Sequence, residues 1–296
     1  MKPAPFKYYR PGSLDEAVSL LERYEGDAKP LSGGQSLIPL MNMRLARPSA
    51  LIDLAAIPGL DGIELGEQRV RIGAMTRHRA LETSTRIARA LPILPEAVRY
   101  IGHRAIRSRG TIGGSIAHAD PAAELPAIAA LLNGEFVLRG SGGARTITWD
   151  EFFQGYLMTA IEPSEILTEV SLEVPARAGW SFMEIARRHG DFAIAGVAVL
   201  VKPGESGRLA DVRIALFGVA PAPVRARTAE EALAGTLPDR DAFASAAQLV
   251  RDNLSPDGDV HGSADYRRHL AGVLTERALE EAANRAFAVP GELISR

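Results

Sequence analysis

The chain has 296 residues, 34 basic against 36 acidic side chains, 46% apolar residues and no cysteine. That length supports a sizeable core in two or three domains, and the balanced charge offers no general attraction for nucleic acid. The missing cysteines exclude disulfides, thiol catalysis, a cysteine-linked flavin and a cysteine-ligated iron–sulfur cluster within the chain, and they fit a reducing, cytoplasmic setting. Ser13-Leu14-Asp15-Glu16 predicts a capping box opening a helix whose apolar stripe is Leu14, Ala17, Val18 and Leu21. Lys29-Pro30-Leu31 then runs into a turn at Ser32-Gly33-Gly34. Ala50–Leu54 and Val70–Ala74 read as short strands, Thr76 as the cap of a helix from Arg77, and Ile93–Ile101 as a further helix.

A second glycine cluster, Gly110 to Ser115, leads to Asp120-Pro121, an N-cap and first-turn pair for a helix that runs through Leu132 and stops at Asn133-Gly134. Strands at Glu135–Arg139, Arg145–Thr148 and Ile166–Val174 complete an α/β region ending near Pro175. Beyond it the pattern becomes consecutive strands at Phe182–Ala186, Phe192–Val201 and Leu209–Val219, with a hairpin at Pro203 to Gly207. A helix from Thr228 and a long amphipathic one over Ala264–Ala288 follow. Strands followed by helices make an α+β unit, with the boundary at 176–178. No apolar run, of which Leu125–Leu132 and Ala193–Val201 are the longest, approaches the about 20 residues of a membrane span. The start, Met1 to Phe6, lacks the apolar core of a secretory signal.

Chemistry concentrates in the two glycine clusters. In Ser32-Gly33-Gly34-Gln35-Ser36 the glycines permit positive φ and bare the backbone. Successive N–H groups can then point at one anion, with Ser32, Gln35 and Ser36 as further donors. Thr111-Ile112-Gly113-Gly114-Ser115 repeats the device. Either cluster alone reads as a tight turn between strand and helix; two with matching chemistry suit one diphosphate. Neither is a G-x-G-x-x-G fingerprint or a P-loop. Arg104, Arg107 and Arg109 before the second cluster read as a solvated basic face, as neutralising charge for a diphosphate, or as a docking face for an acidic partner. His118 and His189 read as structural rather than acid–base groups, and six scattered histidines without H-x-x-x-H or H-E-x-x-H spacing leave no zinc site.

The segments Pro30 to Pro48 and Arg109 to Pro126 resemble the two FAD motifs of the medium subunits of molybdenum hydroxylases, a family that includes the carbon monoxide dehydrogenase medium subunit and the FAD domain of xanthine dehydrogenase. Asp259 to Leu270 is similar to the family's start of the last helix. The resemblance covers essentially the whole chain. It implies an α+β fold: a two-part α/β FAD-binding domain of the PCMH/vanillyl-alcohol-oxidase type over 1–177 (parts about 1–55 and 56–177), then a C-terminal antiparallel sheet with helices over 178–290, like the CO dehydrogenase flavoprotein C-terminal domain. It implies non-covalent FAD held by Leu31, Ser32, Gly33, Gly34, Gln35, Ser36 and Leu37 and by Thr111, Ile112, Gly113, Gly114 and Ser115. His118 and Asp120, Glu124 as an acidic contact and Leu167 as an apolar one complete the cofactor set with Phe192, which stands where relatives often carry Tyr beside the flavin ring. Ser115 replaces a common Asn.

No catalytic side chain and no metal ligand are expected in this chain. The family implies molybdopterin on a large partner subunit and two [2Fe–2S] clusters on a small one, in a dimer of heterotrimers, with this chain passing electrons through FAD to an external acceptor. The absence of cysteine agrees independently, since the clusters must then lie elsewhere. A flavin oxidoreductase acting on its own organic substrate, and a non-redox scaffold, are the alternatives.

Overall fold

Ser13 caps the first helix, Leu14–Arg23, accepting from the Glu16 N–H at 3.2 Å. The Glu16 carboxylate reaches the N–H of Gly12 rather than that of Ser13, so the box closes one residue early. Ala17, Val18 and Leu21 are buried against a three-stranded parallel sheet ordered Lys7–Tyr9, Ala50–Asp53, Ala28–Leu31. The computed structural model describes residues 2–288; Met1 and residues 289–296, including the last two positions of the expected 178–290 unit, lie outside the described residues.

A second sheet is antiparallel, ordered Ile63–Leu65, Arg69–Gly73, Ile166–Glu173, Glu135–Gly140, Gly143–Thr148. Helices Ile93–Tyr100, Ile112–His118 and Glu124–Leu131 share its core. Every residue of Glu124–Leu131 is buried, as an all-round apolar helix requires. The C-terminal sheet orders Gly179–Ile185, Ala195–Pro203, Leu209–Phe217 and Val224–Arg225, all antiparallel. Strand alternation splits it into two faces. One packs on helices Arg227–Leu233, Arg240–Asp252 and Ala264–Phe287. Through the other, Phe182, Ala198, Leu200 and Phe217 join the core of the N-terminal helices. The expected α+β architecture is thus present, with one core cluster continuous across the two parts.

Several local expectations change. Thr76 caps no helix: its hydroxyl donates to the Gly62 carbonyl (3.0 Å) and accepts from the Gly62 N–H (2.9 Å), and the helix starts at His78. Asp120-Pro121 forms a turn in which the Asp120 carboxylate accepts from Ala122 N–H at 2.9 Å, while the Pro121 carbonyl is drawn to the N–H of Gly218 at 2.7 Å. The helix begins instead at Glu124, where Pro126 sits in the first turn and its missing N–H is not needed. Gly113 and Gly114 are not in a turn either; they lie in the helix Ile112–His118, capped by Thr111. The strand expected from Phe192 starts at Ala195, because the loop before it folds back at Gly190 (φ +86°) onto the carbonyl of Gly102. Helix Arg240–Asp252 and the hairpin Phe153–Gly155/Met158–Thr159 had no matching expectation.

Candidate functional site

Strand Ala28–Leu31 delivers the chain into the Ser32–Ser36 turn, where Gly34 takes φ +72°. Opposite, residues 74–78 run against 109–113 as a short clamp. His78 N–H donates to Gly110 O (2.9 Å), Ile112 N–H to Thr76 O (3.0 Å) and Gly113 N–H to Ala74 O (2.9 Å). The Arg77 guanidinium donates to the Arg109 carbonyl. His78 grips a second time through its ring, Nε2–H to Thr111 O at 2.8 Å. The clamp presses the second segment onto the first: the Ser32 and Thr111 hydroxyls meet at 2.5 Å, and Ser32 also contacts Met75 Sδ at 3.0 Å. Gly33 has no room for a side chain, since a Cβ there would lie 2.8 Å from Gly110 Cα and 2.9 Å from the Arg109 carbonyl carbon.

The two clusters are not chemical equivalents. Among the described residues, the N–H groups of Gly33, Gly34, Gln35 and Ser36 donate to no acceptor in the chain, which leaves a run of donors for an anion. The amides of 112–115 are all engaged, with Thr76 O, Ala74 O, the Thr111 hydroxyl and Thr111 O. The second cluster therefore offers hydroxyls, from Thr111 and Ser115, and close packing. Gly113 is small because a Cβ would meet Ala74 O at 2.7 Å.

Both segments form the floor of a cleft of about 1750 Å³ between the two parts of the chain. Leu31 to Leu37, Thr111, Gly113, Gly114, Ser115, His118, Asp120, Glu124, Leu167 and Phe192 all line it. Ile112 does not; its side chain is core, 1% exposed. Phe192 lies on the C-terminal wall and is 68% exposed, so it does not pack that part's core. Leu167 is set by the turn before its strand, where Arg145 holds Glu165 at 2.7 Å through both carboxylate oxygens. His118 Nε2 lies 4.0 Å from Asp120 Oδ2, and His189 packs edge-on to Tyr100 away from the floor. Burial pushes the Glu124 carboxyl up to about 8, helped by the nearby charge of Glu184.

Of the arginines before the second cluster, Arg107 is no solvated group. It pairs with Glu82 (3.0 Å) and donates to the carbonyls of Ile101 and Gly102. Met75, His78, the Tyr156–Thr159 hairpin tip and Arg267 also line the cleft and had no expected role there. Arg267 joins three loops, donating to Ile194 O and Gly218 O and pairing with Asp259 at 2.8 Å. Only its place in the Asp259–Leu270 motif hinted at it. Tyr156 on the hairpin donates to Asp257 at 2.7 Å, bridging the cleft mouth.

His78 carries a pH prediction. The ring is 4% exposed and burial holds it down at about 4, with Arg107 and Arg77 pushing the same way against the Thr111 hydrogen bond. Between its ordinary value near 6.5 and about 4, the unfolded chain binds a proton that the folded chain refuses, so stability falls as pH falls. The loss between pH 7 and pH 5 is about 2 kcal/mol, read by urea unfolding. His78→Gln, which keeps an N–H for Thr111 but does not titrate, should flatten that slope; an equal slope in the variant would place the acid lability elsewhere.

Residues 4–176 match the family described as the FAD binding domain in molybdopterin dehydrogenase, and residues 180–282 the CO dehydrogenase flavoprotein C-terminal domain. The chain is 41% identical over 287 residues to the 6-hydroxypseudooxynicotine dehydrogenase complex subunit alpha of Paenarthrobacter nicotinovorans, covering 97% of each. It is 41% identical over 286 residues to the carbon monoxide dehydrogenase medium chain of Hydrogenophaga pseudoflava, covering 95% of this chain and 98% of that one. A solved structure of carbon monoxide dehydrogenase from the same organism, lacking the Mo-pyranopterin moiety of its molybdenum cofactor, superposes with a TM-score of 0.93 at 41% identity, over 96% of this chain and 99% of that one.

Proposed function

The chain belongs to the FAD-binding medium subunits of molybdopterin dehydrogenases, the oxidoreductase complexes of the carbon monoxide dehydrogenase type, and from that premise we propose that it takes electrons from the iron–sulfur clusters of a small partner subunit and delivers them to an external acceptor. The observation that carries this reading is the cleft floor, where a run of unengaged backbone N–H groups lies against the Ser32–Thr111 hydroxyl pair. These donors suit a diphosphate, and the cleft between the two parts suits an extended dinucleotide.

Gly33 to Ser36 would donate backbone N–H groups to the diphosphate, with Ser32, Gln35, Thr111 and Ser115 adding side-chain donors and Gly113 and Gly114 allowing close approach. Leu31, Leu37 and Leu167 would supply apolar walls, and His118, Asp120 and Glu124 polar ones. Ile112 would act through packing alone. Phe192 would cover one face of the ring. When bound, the isoalloxazine accepts electrons singly and releases them in pairs; the chain's own work is to bind it, orient it and limit access to one side. The large subunit would carry molybdopterin and the substrate site, in a cytoplasmic dimer of heterotrimers, with this chain divided near 176–178. Among the described residues no helix is long and apolar enough to cross a membrane, and no side-chain cluster is able to hold a metal.

The purified chain should be yellow with releasable FAD. Purines, aldehydes and N-heterocycles should leave its flavin oxidised until the cluster-bearing partner is added. Direct reduction by such a substrate would favour the self-sufficient oxidoreductase; a colourless chain that takes up no FAD would favour the scaffold. Because Phe192 is exposed, Phe192→Ala should change stability by less than about 0.5 kcal/mol. Lost stacking of about 1 kcal/mol should weaken FAD severalfold and shift its absorption or midpoint potential. An unshifted spectrum and potential would remove Phe192 from the ring's surroundings.

A further inference from the structure

The short hairpin Phe153–Gly155/Met158–Thr159 hangs over the cleft from a fixed root. Phe153 is buried, its ring 5.1 Å from that of Phe152 and 5.8 Å from that of Phe136, and the Ala160 N–H donates to Phe152 O at 2.9 Å. The return strand passes against the helix Ile112–His118, so the hairpin sits beside the second glycine cluster. Its tip is thinly held. The strands pair at only two positions, with a shift between them, and a two-stranded hairpin alone is barely stable in water. Leu157 takes φ +55°, a left-handed setting unusual for a large side chain. With Met158 it lines the cleft while staying more than half exposed.

Among the described residues a single hydrogen bond ties this tip to another segment, from Tyr156 OH to the Asp257 carboxylate at 2.7 Å. Asp257 stands on a fixed post. Leu254 and Pro256 before it are buried, and the Leu254 carbonyl accepts from Arg268 at 3.1 Å. Asp259 after it accepts from the N–H groups of His261 and Gly262 and pairs with Arg267. The two parts of the chain share one core cluster and are pinned together where Gly218 N–H meets Pro121 O. The wall of the cleft that is free to move is therefore the hairpin, and the Tyr156–Asp257 bond joins it across the mouth to the C-terminal part.

We propose that the hairpin is a clasp on the cleft, with Tyr156 and Asp257 as the positioning residues that hold it shut, so that FAD enters and leaves when their bond opens. This rests on the FAD reading above and gives a role to residues outside the two motifs. The Tyr156 hydroxyl spends its proton on Asp257 and does not donate to the ligand. A bond that spans the mouth without the ligand as its partner raises the barrier to entry and exit alike and leaves the balance between free and bound where it was. Leu157 and Met158, carried on the closed clasp, cover the ligand with apolar surface.

The test is the rate of FAD uptake and of FAD release by the full chain, followed by flavin fluorescence, with hydrogen exchange of residues 153–159 in the FAD-free chain. Tyr156→Phe should speed uptake and release by the same factor, about fivefold for the loss of one hydrogen bond. Asp257→Ala should do the same, and the double variant should be no faster than either single one, because both remove one bond. Exchange across the hairpin should rise alike in all three. Unchanged rates, a faster release without a faster uptake, or additive effects of the two substitutions would overturn the proposal. If the chain took up no FAD, the cofactor reading would fail, while the exchange would still decide the clasp: protection in Tyr156→Phe equal to that of wild type would sink it.

Discussion

Gly33→Ala should leave the purified chain nearly free of flavin. The added methyl has no direction in which to give, because what it meets is backbone: Gly110 Cα at 2.8 Å and the Arg109 carbonyl carbon at 2.9 Å. Relief requires the first loop to part from the second segment, which breaks the Ser32–Thr111 contact and swings the free N–H groups of Gly33 to Ser36 out of line. Overpacking of this kind destabilises by about 1–3 kcal/mol. The expected loss of FAD affinity is at least about a hundredfold, or about 2.7 kcal/mol, read from the flavin-to-protein absorbance ratio and a binding titration. Gly12→Ala is the control, since nothing lies within 4 Å of a Cβ there. Retention of full flavin by Gly33→Ala would mean that the diphosphate is held elsewhere.

Arg225→Met should be the most destabilising substitution away from the cleft. Arg225 and Glu230 are 8% and 7% exposed and form two hydrogen bonds, at 2.6 and 2.9 Å. The same guanidinium donates to Ala130 O on the N-terminal side of the seam, at 3.1 Å, while Glu230 also accepts from Ile214 N–H at 2.7 Å. Removing the cation strands a buried carboxylate, at about 3–5 kcal/mol, measured as a fall in the urea midpoint. Arg225→Met combined with Glu230→Leu should recover part of that loss, because two apolar groups need no counter-charge. If the double variant were no better than the single one, the hydrogen bonds to Ala130 and Ile214 would outweigh the ion pair.

How much of the site was readable depended on how far apart its parts lie along the chain. Both glycine clusters stood out because a short run of Gly, Ser and Thr has a local meaning: bare backbone and nearby hydroxyls. The three long strands of the C-terminal sheet and the helices Leu14–Arg23 and Ala264–Phe287 were legible for the same reason, since a period of two or of 3.6 needs only neighbouring residues. The difference between the clusters was not legible. That the amides of 112–115 are engaged and those of 33–36 are not follows from the pairing of 109–113 with 74–78, which no local pattern announces. Asp120-Pro121 misled because two prolines lie within one helical turn of a plausible start, and the bond from Gly218 to Pro121 selects the later one.

The sequence by itself determined the class of fold, the two phosphate-type segments, their order and the absence of any thiol ligand for a cluster. Only the tertiary structure decided that His78 steers Thr111 onto Ser32, that Phe192 stands exposed in a loop over the cleft, and that Glu124 is buried where its helix opens on the cleft. Each of these depends on contacts between residues distant in the chain, where burial and the lack of a counter-charge arise only when the two parts close on each other. A glutamate looks the same in sequence whether it faces water or a packed interior; its chemistry is set by which of the two the fold puts around it.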